Sequence, residues 1–447
     1  MNIFRSEKIK KAILVIGDIV CFYAALLLMF QLRFGFRIDN QSVFDAHFKI
    51  FSWVFLFWLT VFYTGHFYEI GIVGKKWKFI KLLSELHFVN FVLAIVFFYI
   101  FPSITPKTNL LLVAVFSFLF LILWRFIFNS ILGKTSAIRV LILGNSKEVE
   151  ELKTYLDNSL QLGYRVALVM DSFDGVNKDT FINLAKNEKI NIIVVDRLFN
   201  QGGDLEAKKA LFRALFAKVT LLDLAVFYEM AIKKIPLSVI DELWFFNNFN
   251  LKRGMYEAGK RFFDFIFSLI CFLVTLPFWP FIILGIKLDS KGPVLLKMER
   301  VGENNKNFKI FKFRTMINHA DKVGPHWTVK NDTRITKFGS FLRQTHIDEI
   351  PQFINIIKGN MSFVGPRPEE KALVDLYSDT IPFYRIRHMV KPGIIGWAIL
   401  NYSHGASVED AVQKLQYDLY YIKNRTFWLD LGMMIKIFRI LLLHKTH

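Results

Sequence analysis

Four long apolar runs fill the first third of the chain, near Ala12–Gln31, Ile50–Phe67, Phe79–Phe101 and Asn109–Leu132. Each supplies the roughly 20 helical residues needed to cross a hydrocarbon core about 30 Å thick. The pattern predicts a four-helix transmembrane bundle over residues 1–135. The first run follows Arg5, Lys8, Lys10 and Lys11, as a signal peptide would, but it is long and no small-residue cleavage site follows, so it is read as a retained anchor. Lys75, Lys76, Lys78 and Lys81 crowd the second connection while Pro102–Thr108 offers only Lys107, which places both ends of the bundle on the cytoplasmic side.

After Ser136 the period changes. Ile138–Gly144, Tyr164–Asp171, Ile190–Asp196 and Lys218–Leu224 read as buried strands, with helical segments near Lys178–Asn187 and Asp204–Ala217. This alternation predicts a small doubly wound, Rossmann-like α/β domain with a parallel sheet over residues 136–250. Its first strand-to-helix turn, Gly144-Asn145-Ser146-Lys147, lacks the glycines of G-x-G-x-x-G, so a dinucleotide is not expected there. The domain is read as a spacer or oligomerisation module, with a regulatory nucleotide site as the alternative.

Residues 251–447 open on a fifth apolar run, Phe262–Ile286, flanked by Lys260-Arg261 and by Lys287, Lys291 and Lys297. A fifth crossing would put this strongly basic remainder on the outer face, against the loop-charge rule. Pro277 and Pro280 remove backbone donors and bend a helix, so the run is expected to enter and leave on one side, as a re-entrant helix at about 262–286. The last stretch, Phe427–Leu443, carries Asp430, Lys436 and Arg439 and is read as an interfacial amphipathic helix.

Composition fits this layout. The chain is 53% hydrophobic with 49 Phe, more than a soluble protein of its size usually carries. A net charge of +19 would suggest nucleic acid in a soluble protein, but no such motif accompanies it, and Lys and Arg beside a membrane serve topology and attract anionic lipid. A lipid bilayer is the expected partner, and nucleic acid is not. Cys21 and Cys271 lie in apolar runs as packing residues, and Asp18, Glu85 and His87 within the spans are expected to make interhelical contacts.

The chemistry lies downstream. Asp348-Glu349 precede Ile350, Phe353, Ile354 and Ile357 at helical spacing, with Pro351 suited to a first turn and Gly359 to the stop, so Asp348 is expected at or near an N-cap. Alone, such a pair would be capping residues. Lys312, Arg314, Arg334, Arg343 and Arg367 share the stretch, beside turns expected at Gly339, Gly359 and Gly365. Guanidinium groups bind phosphate bidentately, so this set suits a diphosphate. An ionised carboxylate can attack phosphorus, and its neighbour, Glu349, can hold Mg²⁺.

In order, the chain presents Lys260-Arg261-x-x-Asp264, the proline-bent helix, Lys312-Phe313-Arg314-Thr315-Met316, Asp348-Glu349-x-Pro351-Gln352 and Gly365-Pro366-Arg367-Pro368-Glu369. From about Lys260 onward it resembles the bacterial sugar transferase family, the monotopic polyprenyl-phosphate phosphoglycosyl transferases, in their large form with an N-terminal four-helix bundle. One departure is Met298, where many relatives have Gln before the Glu-Arg pair.

The resemblance implies a mainly helical catalytic domain over 251–447, Mg²⁺, and a catalytic dyad at Asp348 and Glu349. Asp348 would attack the β-phosphate of a UDP-sugar and expel UMP, and undecaprenyl phosphate would then take the phosphosugar. That is the first membrane step of exopolysaccharide, capsule or O-antigen synthesis, at the cytoplasmic face of the bacterial inner membrane. Lys260, Arg261, Asp264 and Pro277 would anchor the re-entrant helix, Asp264 by pairing with an arginine, with a plain interfacial carboxylate as the alternative for Asp264. Lys391, Trp397 and Asn401 would shape a nucleotide pocket, with core packing as the alternative for Trp397. The sequence leaves room for a homodimer and leaves the sugar open. The rival expectations are a glycosyltransferase that acts on a lipid-linked sugar and releases UDP, and a non-enzymatic assembly scaffold.

Overall fold

The computed structural model describes residues 2–35, 41–65, 67–68, 76–100, 107–132, 138–159, 162–171, 187–196, 219–249, 254–317, 332–402, 405 and 407–442. It divides into two compact units, Met1–Ile232 and Lys233–His447.

The four N-terminal runs are helices: α1 (Asn2–Phe34), α2 (Gln41–Thr64), α3 (Lys76–Ile100) and α4 (Lys107–Leu132). All four contain stretches long and apolar enough to cross a membrane. Helices in lipid gain little from apolar burial and associate through close packing and polar contacts. Here Phe22 stacks on Phe55 with ring centroids 5.2 Å apart, and the Trp58 indole donates to the Asn90 carbonyl at 3.0 Å. Arg125 donates to both oxygens of Asp18 at 2.8 and 2.9 Å and lies over the Phe67 ring. His87 Nε2 lies 2.9 Å from the Ala114 carbonyl. Asp18 and His87 therefore join helices, as expected.

The α/β region carries four parallel strands, β1 (Ile138–Leu143), β2 (Tyr164–Met170), β3 (Ile192–Val195) and β4 (Thr220–Asp223), in the order β2-β1-β3-β4. All four fall where the buried runs predicted them. Leu141, Leu143, Ile190, Ile193 and Val219 form the core. Helices α5 (Lys147–Asp157) and α6 (Leu224–Ile232) are present. The helical segments expected near 178–187 and 204–217 lie outside the described residues, apart from Asn187. Gly144, at φ +141°, closes β1 with its Cα against the Asp196 side chain, where any larger residue would collide.

Residues 233–249, expected with the α/β segment, pack in the second unit instead: Ile235 N–H donates to the Gln416 carbonyl at 3.0 Å. Helix α7 (Glu242–Asn248), capped by Asp241, leads to the fifth apolar segment. That segment is α8 (Gly254–Thr275), a 3-10 turn at Leu276–Phe278 holding Pro277, and α9 (Trp279–Asp289). Within α8 the buried residues are Asp264 and Ser268, while Phe262, Leu273 and Val274 are exposed. A helix that hides polar groups and shows apolar ones is suited to lipid.

Both arms of the broken helix meet the same globular unit. Arg261 donates to the carbonyls of Ile356 and Ile357 at 2.5 and 2.7 Å, and Asp289 accepts from the Phe338 N–H at 2.9 Å. Ile282 and Ile286 pack with Phe313 and Leu342, each burial contributing about 1.5–3 kcal/mol. The unit is completed by the antiparallel hairpin β5 (Leu295–Val301) and β6 (Asn307–Phe313), helices α10 (Lys337–Gln344) and α11 (Gln352–Lys358), a two-strand parallel pair β7 (Ser362–Val364) and β8 (Gly393–Ile395), and helices α12 (Lys371–Thr380), α13 (Trp397–Asn401), α14 (Val408–Asn424) and α15 (Phe427–Leu442). In α15, Asp430 does not belong to an outward polar face: it is buried and accepts from Tyr256, Lys260 and Tyr421.

Candidate active site

The dyad sits in a short 3-10 turn, Ile347–Glu349, entered through His346 at φ +55°. Asp348 does not cap α11: Pro351 occupies that position, and Asp348 lies one turn earlier with its carboxylate free of capping. The turn is held from both sides, because Ile347 and Ile350 pack against the Ile282, Phe313 and Leu342 core. Gly359, at φ +87°, ends α11 as expected.

Strand β6 carries Lys312 to the same place, and Asn355 fixes the distance. Its side chain accepts from the Phe311 N–H at 3.0 Å and donates to the Lys309 carbonyl at 2.7 Å, so α11 completes the open edge of the strand. Lys312 Nζ then lies 2.8 Å from Glu349 Oε1 and 3.8 Å from Asp348 Oδ2. Arg367 Nη2 also donates to Glu349 Oε1, at 2.8 Å. Among the described residues nothing donates a hydrogen bond to Asp348, and Glu349 Oε2 is likewise left open.

These contacts separate the two carboxylates electrically. Burial raises Asp348, partly opposed by Lys312 and reinforced by the charge of Glu349. Burial also raises Glu349, but Arg367 and Lys312 together outweigh it and hold that carboxyl well below the usual range. Glu349 in turn pushes the Arg367 guanidinium up. The charge of Arg343 acts on Asp348, while its Nε donates to Thr315 Oγ1 at 2.8 Å.

Of the five cations expected at a phosphate, the structure thus gathers Lys312, Arg343 and Arg367. Arg314 is engaged elsewhere: it is 3% exposed and donates to the carbonyls of Pro293 and Ser290, both at 2.6 Å, bracing the entry to β5. Arg334 closes on Asp332, donating to Oδ2 at 2.6 Å and to Oδ1 at 2.9 Å. Gly339 is no turn. It lies inside α10 where a side chain would collide with the Thr315 carbonyl.

The nucleotide-pocket expectation does not gather at the dyad either. Trp397 is a core residue, donating to the Lys233 carbonyl at 3.0 Å and stacked on Tyr420. Asn401 links the Trp397 carbonyl to Lys436. Lys391 lines a cavity of about 280 Å³ with Lys260, Arg261 and Asp264. At the foot of α8, Lys260 pairs with Asp430 at 2.6 Å. Among the described residues Asp264 pairs with no arginine; it accepts from the Phe363 N–H at 3.3 Å. Two buried residues that the motifs did not single out, Asn355 and Arg387, hold the elements carrying the cluster, and no local pattern marks either of them.

A family described as bacterial sugar transferase matches residues 255–444. The chain is 40% identical over 192 residues to UDP-N-acetylgalactosamine-undecaprenyl-phosphate N-acetylgalactosaminephosphotransferase of Aeromonas hydrophila, covering 43% of this chain and 45% of that protein. It is 42% identical over 184 residues to UDP-glucose:undecaprenyl-phosphate glucose-1-phosphate transferase of Escherichia coli K12, covering 40% and 39%. The matched segment thus spans less than half of those two proteins. With the exopolysaccharide production protein PSS of Rhizobium leguminosarum it shares 43% identity over 181 residues, which are 39% of this chain but 90% of that protein. With its motifs in order, its dyad flanked by cations and a relative matched over nearly its whole length, the chain belongs to the bacterial sugar transferase family.

Proposed function

We propose that this protein transfers a sugar-1-phosphate from a UDP-sugar to undecaprenyl phosphate, releasing UMP, as the first membrane step of a bacterial surface glycan. The observation that carries the proposal is Asp348: a buried carboxylate that accepts no hydrogen bond from the described residues, 3.8 Å from Lys312 and beside a second, firmly ionised carboxylate. A structural carboxylate buried to this degree would be satisfied by donors. One left open toward cations is available as a nucleophile for phosphorus.

In the first step an Asp348 oxygen attacks the β-phosphorus, and the bond to the bridging oxygen breaks so that UMP leaves with its electrons. Lys312, Arg343 and Arg367 stabilise the charge that spreads over the phosphoryl oxygens. In the second step a phosphate oxygen of the lipid attacks the same phosphorus and the Asp348 carboxylate departs, giving a lipid diphosphate sugar. No net proton transfer is needed. Dividing the exchange keeps two anionic substrates from having to meet directly.

Mg²⁺ suits the residues present. The described residues hold no cluster of three or more His, Cys, Asp or Glu side chains, but Mg²⁺ is commonly bound through one or two carboxylates, with phosphate oxygens and water completing its shell. Glu349, ionised and with Oε2 open, and Asp348 supply such a pair. When bound there, the ion would neutralise diphosphate charge.

The substrates fit the placement of the site. Both arms of the proline-broken helix are tied to one globular unit, which supports a re-entrant path and a catalytic face on the cytoplasmic side. Cysteines placed at Glu257 and Lys291 are expected to react with reagent applied from the cytoplasmic side only; labelling of the second from outside would mean a fifth crossing. The chemistry is tested by mixing the purified protein in nanodiscs with UDP-sugars, with and without Mg²⁺ and lipid. Without lipid, a burst of up to one equivalent of UMP and a phosphosugar adduct on the Asp348 peptide are expected. UDP release, or normal turnover with no burst and no adduct, would replace the covalent reading.

A further inference from the structure

Arg367 stands between Pro366 and Pro368, and neither proline offers an N–H. This segment must therefore be held largely by its carbonyl oxygens. Gly393 N–H donates to the Pro366 carbonyl at 2.9 Å, and Val301 N–H to the Glu369 carbonyl at 3.0 Å. Between them, the Arg367 carbonyl accepts from Arg387 Nη2 at 3.0 Å.

Arg387 is only 4% exposed. Its Nη2 also donates to Asp418 Oδ2 at 2.8 Å, and its Nη1 to the Tyr384 hydroxyl at 2.7 Å. Asp418 is 1% exposed. A planar guanidinium gripped by a carboxylate and a phenol has little rotational freedom. A simple buried ion pair would account for Arg387 and Asp418, but not for the third contact, on the one residue of this loop whose side chain reaches Glu349.

We propose that Arg387 is a positioning residue for the transfer site, fixing the Arg367 backbone so that the Arg367 guanidinium stays on Glu349 and on the incoming phosphate. This rests on the function proposed above. Misplacement of a positioned group by about 1 Å can cost about a hundredfold in rate, so loss of this clamp should be seen in turnover before it is seen in folding.

The test uses full-length protein in nanodiscs. Arg387→Gln combined with Asp418→Asn removes both buried charges together, so neither is stranded. We expect an unfolding midpoint close to wild type and kcat/KM for the UDP-sugar lower by about tenfold to a hundredfold. Because the effect runs through Arg367, adding the pair to Arg367→Gln should cause no further loss. Unchanged kcat/KM, or losses that multiply with that of Arg367→Gln, would overturn the proposal. Tyr384→Phe, which removes a single hydrogen bond, provides the same comparison if the double variant folds poorly, with a few-fold loss expected. If Arg367→Gln alone keeps wild-type kcat/KM while UMP release is normal, the role of Arg367 itself fails and the positioning proposal with it.

Discussion

Two sets of buried charge in this chain are built differently. Asp18 and Arg125 meet one to one through two hydrogen bonds, with both side chains at 2% exposure or less. At Asp348 and Glu349, two carboxylates face Lys312, Arg343 and Arg367, and the Arg367 side chain is 42% exposed. A closed one-to-one pair, shut away from solvent with both carboxylate oxygens occupied, leaves no open carboxylate and no path for a ligand. An open group, with Asp348 accepting no hydrogen bond from the described residues and Arg367 partly exposed, leaves a path for an anion to reach its cations. The first arrangement holds helices together, and the second is suited to bind and transfer a phosphate.

The largest expected effect comes from Asp348→Asn. The substitution keeps the shape and removes the nucleophile, and since no described residue donates a hydrogen bond to Asp348, the unfolding midpoint should stay near wild type. Removing a nucleophile commonly costs at least about 10⁴-fold in turnover. Turnover within a few-fold of wild type would make Asp348 as inert as Asp18 and erase the contrast.

Arg125→Leu attacks the comparison from the other side. It leaves Asp18 buried without its partner, and breaking a buried pair costs about 3–5 kcal/mol. Detergent-solubilised protein should unfold at a clearly lower temperature, and adding Asp18→Leu should recover most of the loss. UMP release per folded molecule should be unchanged in both. A tenfold fall in that specific activity would show that the pair serves catalysis as well as structure.

Much of this division was legible in the sequence. The four bundle helices followed from run length, the four strands from short buried runs, and the dyad from its motif order. The directions of the arginines were not legible, because a side chain's partner is set by tertiary folding. Arg314 and Arg343 look alike in sequence, yet Arg314 braces two carbonyls, whereas Arg343 bonds Thr315 where its charge acts on Asp348 and Asp332. Arg334 did carry a local signal: Asp332 stands two residues before it, close enough to capture it. Asp430 and Lys436 suggested an amphipathic face, whereas Asp430 turns inward to Lys260, Tyr256 and Tyr421 because the foot of α8 brings those donors to it. Pro351 suits a first turn by sequence, and in the structure it is the cap itself. With the cap three residues beyond Asp348, that residue lies off the helix end and its carboxylate is left open.

The smallest effect is the most discriminating. Arg367→Lys preserves the positive charge beside Glu349, so any loss must come from geometry. Arg367 reaches Glu349 Oε1 with Nη2 at 2.8 Å, while much of its side chain remains exposed. A guanidinium can hold a carboxylate with one edge and present further N–H groups to a phosphate, in a planar fork that a lysine lacks. Lysine would keep Glu349 ionised through charge alone, so folding and the order of the two steps should be unaffected. What it gives up is the second contact, made only when a phosphate is present. The expected result is KM raised about tenfold for both the UDP-sugar and the lipid phosphate, equivalent to about 1.4 kcal/mol in each case, with little change in kcat. Wild-type KM for both substrates would mean that Arg367 acts only as a point charge on Glu349, with no directed contact to a phosphate. A rise for the UDP-sugar alone would confine its phosphate contact to the first step.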